Sequence, residues 1–252
     1  MTLSIRAVPA LTGCRIAVAQ PPRTAAEAPA GDAEAARLDR LLRSVGAELV
    51  VTAAVREDHP IPAAVRRTTH RVASGRIDAV YLETAPAARS WMRVVERLGA
   101  REAVRERARA GRLAVVAAGA PTVAPLAAEG LRTTLAAGPA PEAVAEALLT
   151  FYAVDAPSLD TEAGRVGLRS GGVLVEGRFL PLPPGAVGLL EVLMRAEGRV
   201  LSRTEIGRTL PGGRRSARAV EVSVARLREA LGEADLVQTV VKRGYRLAVT
   251  ER

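Results

Sequence analysis

Side chains able to grip a phosphate or read a base edge cluster in two short stretches near the end of the chain. In "GGRRSARAVEVSVARLREALG" (212 to 232), Arg214 and Arg215 precede a helical pattern that carries Arg218, Ser223 and Arg226 away from an apolar stripe of Val220, Val224, Leu227 and Leu231. In "VVKRGYRL" (240 to 247), Lys242, the only lysine of the chain, stands beside Arg243. A guanidinium forks onto a phosphate or onto O6 and N7 of guanine, an ammonium meets phosphate as a point charge, and a serine hydroxyl serves either target. The chemistry on offer is recognition of a polyanion, which needs no nucleophile and no general base.

A second group points to a smaller anion. Thr84 and Arg89 in "LETAPAARSW", and Thr122 in "AAGAPTVAP", follow apolar runs and open helical ones. Free backbone N–H groups gather at such places and meet carboxylates or phosphates. These three residues are candidate ligand contacts, with capping of their own helices as the plainer use of the threonines. His59 and His70 have neither the cysteines nor the spaced carboxylates of a metal site. No P-loop and no G-x-G-x-x-G stretch occurs, so no metal or cofactor is expected. Trp91 is expected in a core.

The elements that must hold these residues fall into two sets. After a tail at 1 to 12, residues 13 to 152 alternate short apolar runs with alanine- and arginine-rich helical stretches. Strands are expected at "RIAVA" (15 to 19), "ELVVT" (48 to 52), "DAVYL" (78 to 82), "LAVVAA" (113 to 118) and "RTTLA" (132 to 136). Helices are expected at 32 to 45, 62 to 74, 86 to 109, 121 to 129 and 140 to 152. The alternation predicts an α/β domain with a parallel sheet covered on both faces.

Aperiodic "AVDAPSLDTEAGR" (153 to 165) is the expected linker, and 166 to 252 a small α+β domain. There a hairpin signal "VLVEGRFLPL" precedes a helix through "AVGLLEVLMRAEG", and Ser202 with Glu205 writes a capping box for a helix at 203 to 210. Ser216 can cap a third helix that ends at Gly232, and a hairpin turning at 242 to 244 closes the chain. Three helices and a basic-tipped hairpin describe a winged helix-turn-helix, whose third helix fits the DNA major groove.

Composition agrees with that direction and excludes others. A net charge of +9 and a pI near 11.0 favour a polyanionic partner. At 2% aromatic residues, base stacking on aromatic platforms is poorly supplied, which favours duplex DNA over single strands or RNA. One cysteine, Cys14, leaves no internal disulfide and suits a reducing cytoplasm. "LAVVAAGAPTVAPLAA" is too short for a membrane span, and the few residues between Arg6 and Thr12 are too few for a signal peptide, so neither a membrane nor export is expected.

"GRVLSRTEI", "ARAVEVSVARLREALG" and "VQTVVKRGYRL" resemble the second helix, recognition helix and wing of the OmpR/PhoB-type effector domain. The resemblance implies that Arg218, Ser223 and Arg226 face DNA and that 242 to 244 is the wing. In the usual wing an arginine, a glycine and an apolar residue stand where this chain has Val241-Lys242-Arg243, which moves charge toward the tip. The preceding domain, flavodoxin-like by its pattern, lacks the carboxylate pair, phosphate-accepting aspartate and lysine that a phosphorelay receiver needs.

"GCRIAVAQ", "LLRSVGAELV", "GRIDAVYLETAPAARSW" and "VVAAGAPTVAPLAAEGL" resemble instead the strand–helix units of uroporphyrinogen-III synthase. Actinobacterial regulators with a synthase-like domain fused to this winged helix are similar in whole architecture. That resemblance implies a transcription regulator with a domain for ligand sensing or dimerisation, the ligand being a small anion or tetrapyrrole-like molecule. The alternative is a synthase cyclising hydroxymethylbilane, alone or alongside DNA binding. Two departures oppose catalysis. The chain has length for one unit where the synthase has two, and Val55 and Glu83 stand where that family has a tyrosine and a neutral hydroxyl residue. A single unit could exchange its first β-α-β segment with a second copy, giving a homodimer suited to paired half-sites.

Overall fold

The computed structural model describes residues 10–20, 28–53, 55, 59–210 and 215–250. The chain divides into two compact units between Ala156 and Pro157.

In the first unit, β1 (Arg15–Gln20), β2 (Glu48–Ala53), β3 (Ala79–Leu82), β4 (Ala114–Ala117) and β5 (Thr134–Leu135) form one parallel sheet ordered β2-β1-β3-β4-β5. Alternation along each strand sorts side chains to two faces. Ile16, Val18 and Tyr81 pack on one face with Leu38 and Leu42 of α1 (Ala28–Ser44) and Leu148 of α6 (Pro141–Thr150). Ala17, Val80 and Leu82 pack on the other. There they meet Val72 of α2 (Ala63–Ala73), Trp91 of α3 (Ala85–Arg97), Val104 of α4 (Arg101–Arg109) and Leu126 of α5 (Ala120–Ala128). Cys14, just ahead of β1, is buried and forms no disulfide.

Two expectations are corrected here. The helix expected at 86 to 109 is two helices, because the chain turns at Leu98–Ala100, where Gly99 has φ 64°. A left-handed residue ends a helix at little cost when it is glycine. After α6, a wide helical turn at Phe151–Asp155 continues the element to the unit boundary.

The stretch expected as a linker is also structured. β6 (Ser158–Thr161) pairs antiparallel with β7 (Gly164–Arg169), which continues to β8 (Gly172–Val175) and β9 (Arg178–Pro181) in a four-stranded meander. Backbone bonds from Thr250 N–H to Asp160 O and from Glu162 N–H to Ala248 O tie the first of these strands to the end of the chain.

α7 (Pro184–Arg195), α8 (Arg203–Thr209) and α9 (Ala217–Leu231) follow, then a hairpin of β10 (Val237–Val240) and β11 (Gly244–Leu247). Leu189, Leu190 and Leu193 of α7 meet Ile206, Val220, Val224, Leu227 and Leu247 in one core. Among the described residues no helix is long and apolar enough to cross a membrane.

The capping box at α8 is present. Ser202 Oγ accepts from the Glu205 N–H at 3.2 Å, and the Glu205 carboxylate accepts from the Ser202 N–H at 2.8 Å. The Ser202 N–H, then its hydroxyl and Arg199, hold the Glu205 carboxyl below its ordinary value of 4.5. The Glu205 contribution to α8 is therefore complete above that ordinary value and is lost as pH falls through the lower folded one. Urea melts across acid pH should show Glu205→Gln flattening this limb of the stability curve. Ser202→Ala should cost about 1 kcal/mol at neutral pH.

Candidate nucleic-acid interface

α9 starts at Ser216, whose hydroxyl accepts from the Ala219 N–H at 3.2 Å, and stops at Gly232 with φ 60°. Its inward stripe is Val220, Val224, Leu227 and Leu231, all buried. At 100° per residue the opposite face carries Arg218, Val222, Ala225 and Glu229, with Arg226 on one flank and Glu221 and Arg228 on the other. Arg218 and Arg226 are exposed, as is Arg215 just ahead of the helix, while Arg214 lies outside the described residues. Ser223 is half-buried, and its hydroxyl donates to Ala219 O at 2.8 Å. That bond turns it toward its own helix, on the margin of the outer face.

The turn into α9 leaves no spare room. The Arg215 N–H donates to Gly207 O at 2.9 Å, and a Cβ on Gly207 would stand 2.5 Å from Arg215 O. α8 and α9 meet this closely because residue 207 has no side chain.

The hairpin tip is corrected by one residue. Val241, Lys242 and Arg243 form the turn, closed by the Arg243 N–H on Val240 O at 2.9 Å, while Gly244 opens β11 opposite Val240. Lys242 takes φ 61°, a position where turns favour glycine or asparagine. Lys242 and Arg243 are both exposed, and Val241 beside them is 77% exposed.

Arginines in this unit divide by use. Arg195 pairs with Glu191, Arg199 with Glu205 and Arg203 with Glu221 at 2.6 Å, and Arg246 donates to Gln238. Arg215, Arg218, Arg226, Lys242 and Arg243 pair with no carboxylate among the described residues. All five are cations that the sequence singles out, and the sixth, Arg214, lies outside the described residues.

Arg228 is the residue that sequence reasoning passed over. Its Nε and Nη2 donate to Val237 O at 3.0 and 2.7 Å, and Nη2 also donates to Thr239 Oγ1 at 2.8 Å. Arg203 and Arg228 both lie over the Tyr245 ring, 5.3 and 5.8 Å from its centroid. The base of the hairpin is thereby pinned to α9. Helical spacing puts Arg228 on that flank, but only the fold brings Val237 O to it. Val222, 44% exposed at the centre of the outer face, was also missed; a branched apolar side chain there suits a thymine methyl.

In the first unit the candidate ligand residues are largely spent on the fold. Thr84 Oγ1 accepts from the Ala87 N–H at 3.3 Å as the cap of α3. Thr122 is 3% exposed, and its hydroxyl donates to Glu83 O at 3.3 Å, so the two threonines approach through one carbonyl. Arg89 is exposed and lines a cleft of about 650 Å³ between α3 and α5 with Pro86, Met92, Arg93 and Pro125, and with Glu96 and Glu129, whose carboxylates pair with Arg101. Trp91 is in the core at 6% exposure, and His59 and His70 are exposed. Among the described residues no three His, Cys, Asp or Glu side chains converge to hold a metal ion.

Residues 177–247 match the family model described as "Transcriptional regulatory protein, C terminal". The second unit is a winged-helix DNA-binding domain of the OmpR/PhoB type. Similar solved structures include the DNA-binding domain of E. coli CadC, 27% identical over 38% of this chain and 95% of that one, with a TM-score of 0.32. The RstA DNA-binding domain of Klebsiella pneumoniae, solved in complex with the RstA box, is 23% identical over 36% of this chain and 96% of that one, with a TM-score of 0.31. The first unit resembles the uroporphyrinogen-III synthase of Thermus thermophilus at 17% identity and a TM-score of 0.31. That match covers 59% of this chain and 54% of the synthase, so the chain spans about half its length. No curated protein matches the chain.

Proposed function

We propose that this protein is an intracellular transcription regulator that reads duplex DNA with α9 in the major groove and the wing at 241 to 243 on adjacent phosphates. The observation that carries the reading is the set of exposed, unpaired cations at Arg215, Arg218, Arg226, Lys242 and Arg243 within a domain of this type. Arg218 and Arg226 on the outer face can fork onto guanine or phosphate, and Arg214 precedes them in sequence. Ser223, whose hydroxyl proton goes to Ala219 O, is a marginal contact: its lone pairs could accept only from a donor such as a base amino group, and not from a phosphate.

In the same reading the synthase-like unit senses a small anionic ligand or pairs two copies of the chain. Arg89 beside the α3–α5 cleft, with Thr84 and Thr122 at the nearby helix starts, supports an anionic ligand. A homodimer would present two winged helices to paired half-sites.

Selection of bound duplexes from genomic fragments by the full chain, followed by salt titration of the recovered site, tests the proposal. A defined recovered sequence is expected, with affinity falling steeply in salt. Equal binding to every fragment would leave a binder of phosphates alone. Lys242→Ala with Arg243→Ala should weaken all sequences alike, roughly tenfold, and lower the salt slope by about two. Alanine keeps a Cβ at the left-handed position, so the turn carries the same backbone strain as before and charge alone is removed.

A further inference from the structure

We infer that α2 is a second DNA contact, which holds the phosphates of duplex flanking the site bound by the winged helix; this rests on the DNA-binding reading above. α2 reads "AAVRRTTHRVA" and contains no acidic residue. Val65, Thr68, Thr69 and Val72 face inward, and the Thr69 hydroxyl is satisfied by Val65 O at 2.9 Å. Arg66, Arg67 and His70 are exposed on the outer side, Arg71 is half-buried, and Arg76 follows exposed just past the helix.

Elsewhere in the same unit the arginines without a carboxylate partner stand apart, Arg40 on α1, Arg89 on α3 and Arg109 on α4, and others are paired. Arg15 pairs with Glu48, Arg37 with Glu142, Arg43 with Asp39, Arg101 with Glu129 and Arg132 with Asp155. Arg66, Arg67, Arg71 and Arg76 pair with no carboxylate among the described residues. Like charges one turn apart, as at Arg67 and Arg71, repel unless an anion lies between them. Four residues rise about 6 Å along a helix, which lets two guanidiniums meet neighbouring phosphates of one strand.

The chemistry of the face selects duplex DNA among polyanions. The exposed non-basic positions are Ala63 and Ala64, with Ser74 beyond the helix end, so the face has no large apolar side chain to enter a bilayer. The same chain carries a DNA-binding domain, so binding by that domain raises the effective concentration of α2 near the flanking duplex. Weak phosphate contacts gain most from such tethering.

The test uses the full chain and two duplexes, one ending at the selected site and one extended by unrelated sequence on both sides. The wild-type chain is expected to bind the longer duplex about tenfold tighter at low salt, the advantage shrinking as salt rises. In Arg66→Gln/Arg67→Gln/Arg71→Gln the advantage should vanish while affinity for the short duplex is unchanged. Glutamine matches arginine closely in helix propensity, and unchanged melting by circular dichroism confirms the fold. Substitution of the same three positions by lysine should keep the advantage. An equal length advantage in wild type and glutamine variant, or equal losses on both duplexes, overturns the inference alone. Loss of vesicle binding to phosphatidylglycerol in the glutamine variant, with the length advantage intact, assigns the face to membranes and overturns it as well. Failure of the wild-type chain to bind either duplex overturns the underlying DNA-binding reading and this inference with it.

Discussion

Gly244→Ala is expected to destabilise the winged-helix unit by about 3 kcal/mol, which in a unit of this size lowers its melting temperature by roughly 15 °C. Two independent costs meet at this residue. Its φ of 139° lies where side chains with a Cβ are strained. A Cβ there would also stand 2.0 Å from Leu201 O and 2.9 Å from the Ser202 Cα, and both neighbours are backbone. The surroundings cannot yield by a side-chain rotation, because Leu201 is held by two bonds to Tyr245, at 2.8 and 2.9 Å. Differential scanning calorimetry of the full chain should show one transition moved and the other, from the synthase-like unit, unmoved. A melting profile identical to wild type would mean that the hairpin does not approach Leu201 so closely. Because the hairpin carries Lys242 and Arg243, DNA binding should fall with the same variant, and the calorimetric shift identifies folding as the cause.

Much of this architecture is legible in local sequence. Strand alternation at Ile16 and Val18 against Ala17 and Ala19 predicts the two-faced sheet. The spacing of Val220, Val224, Leu227 and Leu231 predicts the inward stripe of α9, and Ser202 with Glu205 predicts the start of α8. These features are written within a turn or two of chain, where periodicity and capping operate. What the sequence hides depends on partners far along it. Ser158–Thr161 looks aperiodic because three of its four residues are not buried, and it becomes a strand through β7 and the backbone at Ala248 and Thr250. The DNA face shows the same division. Arg218 and Arg226 are visible as an outer face, but nothing local distinguishes them from Arg203 or Arg228, which the fold spends on Glu221 and on the hairpin. Thr84 and Thr122 are the converse case: their positions at helix starts are legible, and the fold occupies one as a cap and the other as a donor to Glu83 O.

Arg228→Met is expected to weaken DNA binding roughly tenfold, and to do so only while the hairpin tip keeps its charge. Methionine retains an aliphatic stem over Tyr245 but removes every donor to Val237 O and Thr239, so the hairpin stays folded and loses its fixed angle to α9. If the tether acts by aiming Lys242 and Arg243, a chain already carrying Lys242→Ala and Arg243→Ala has nothing left to aim. The further loss caused by Arg228→Met in that background should then be near zero, an interaction energy close to the whole effect of the single change. Additive losses would instead make Arg228 a direct phosphate contact, since removing a contact costs the same whatever the tip carries. Arg228→Lys separates charge from geometry: an ammonium keeps the charge but cannot reproduce the guanidinium's planar fork onto Val237 O and Thr239. Its affinity should follow the methionine variant if the tether is what counts, and the wild type if charge is.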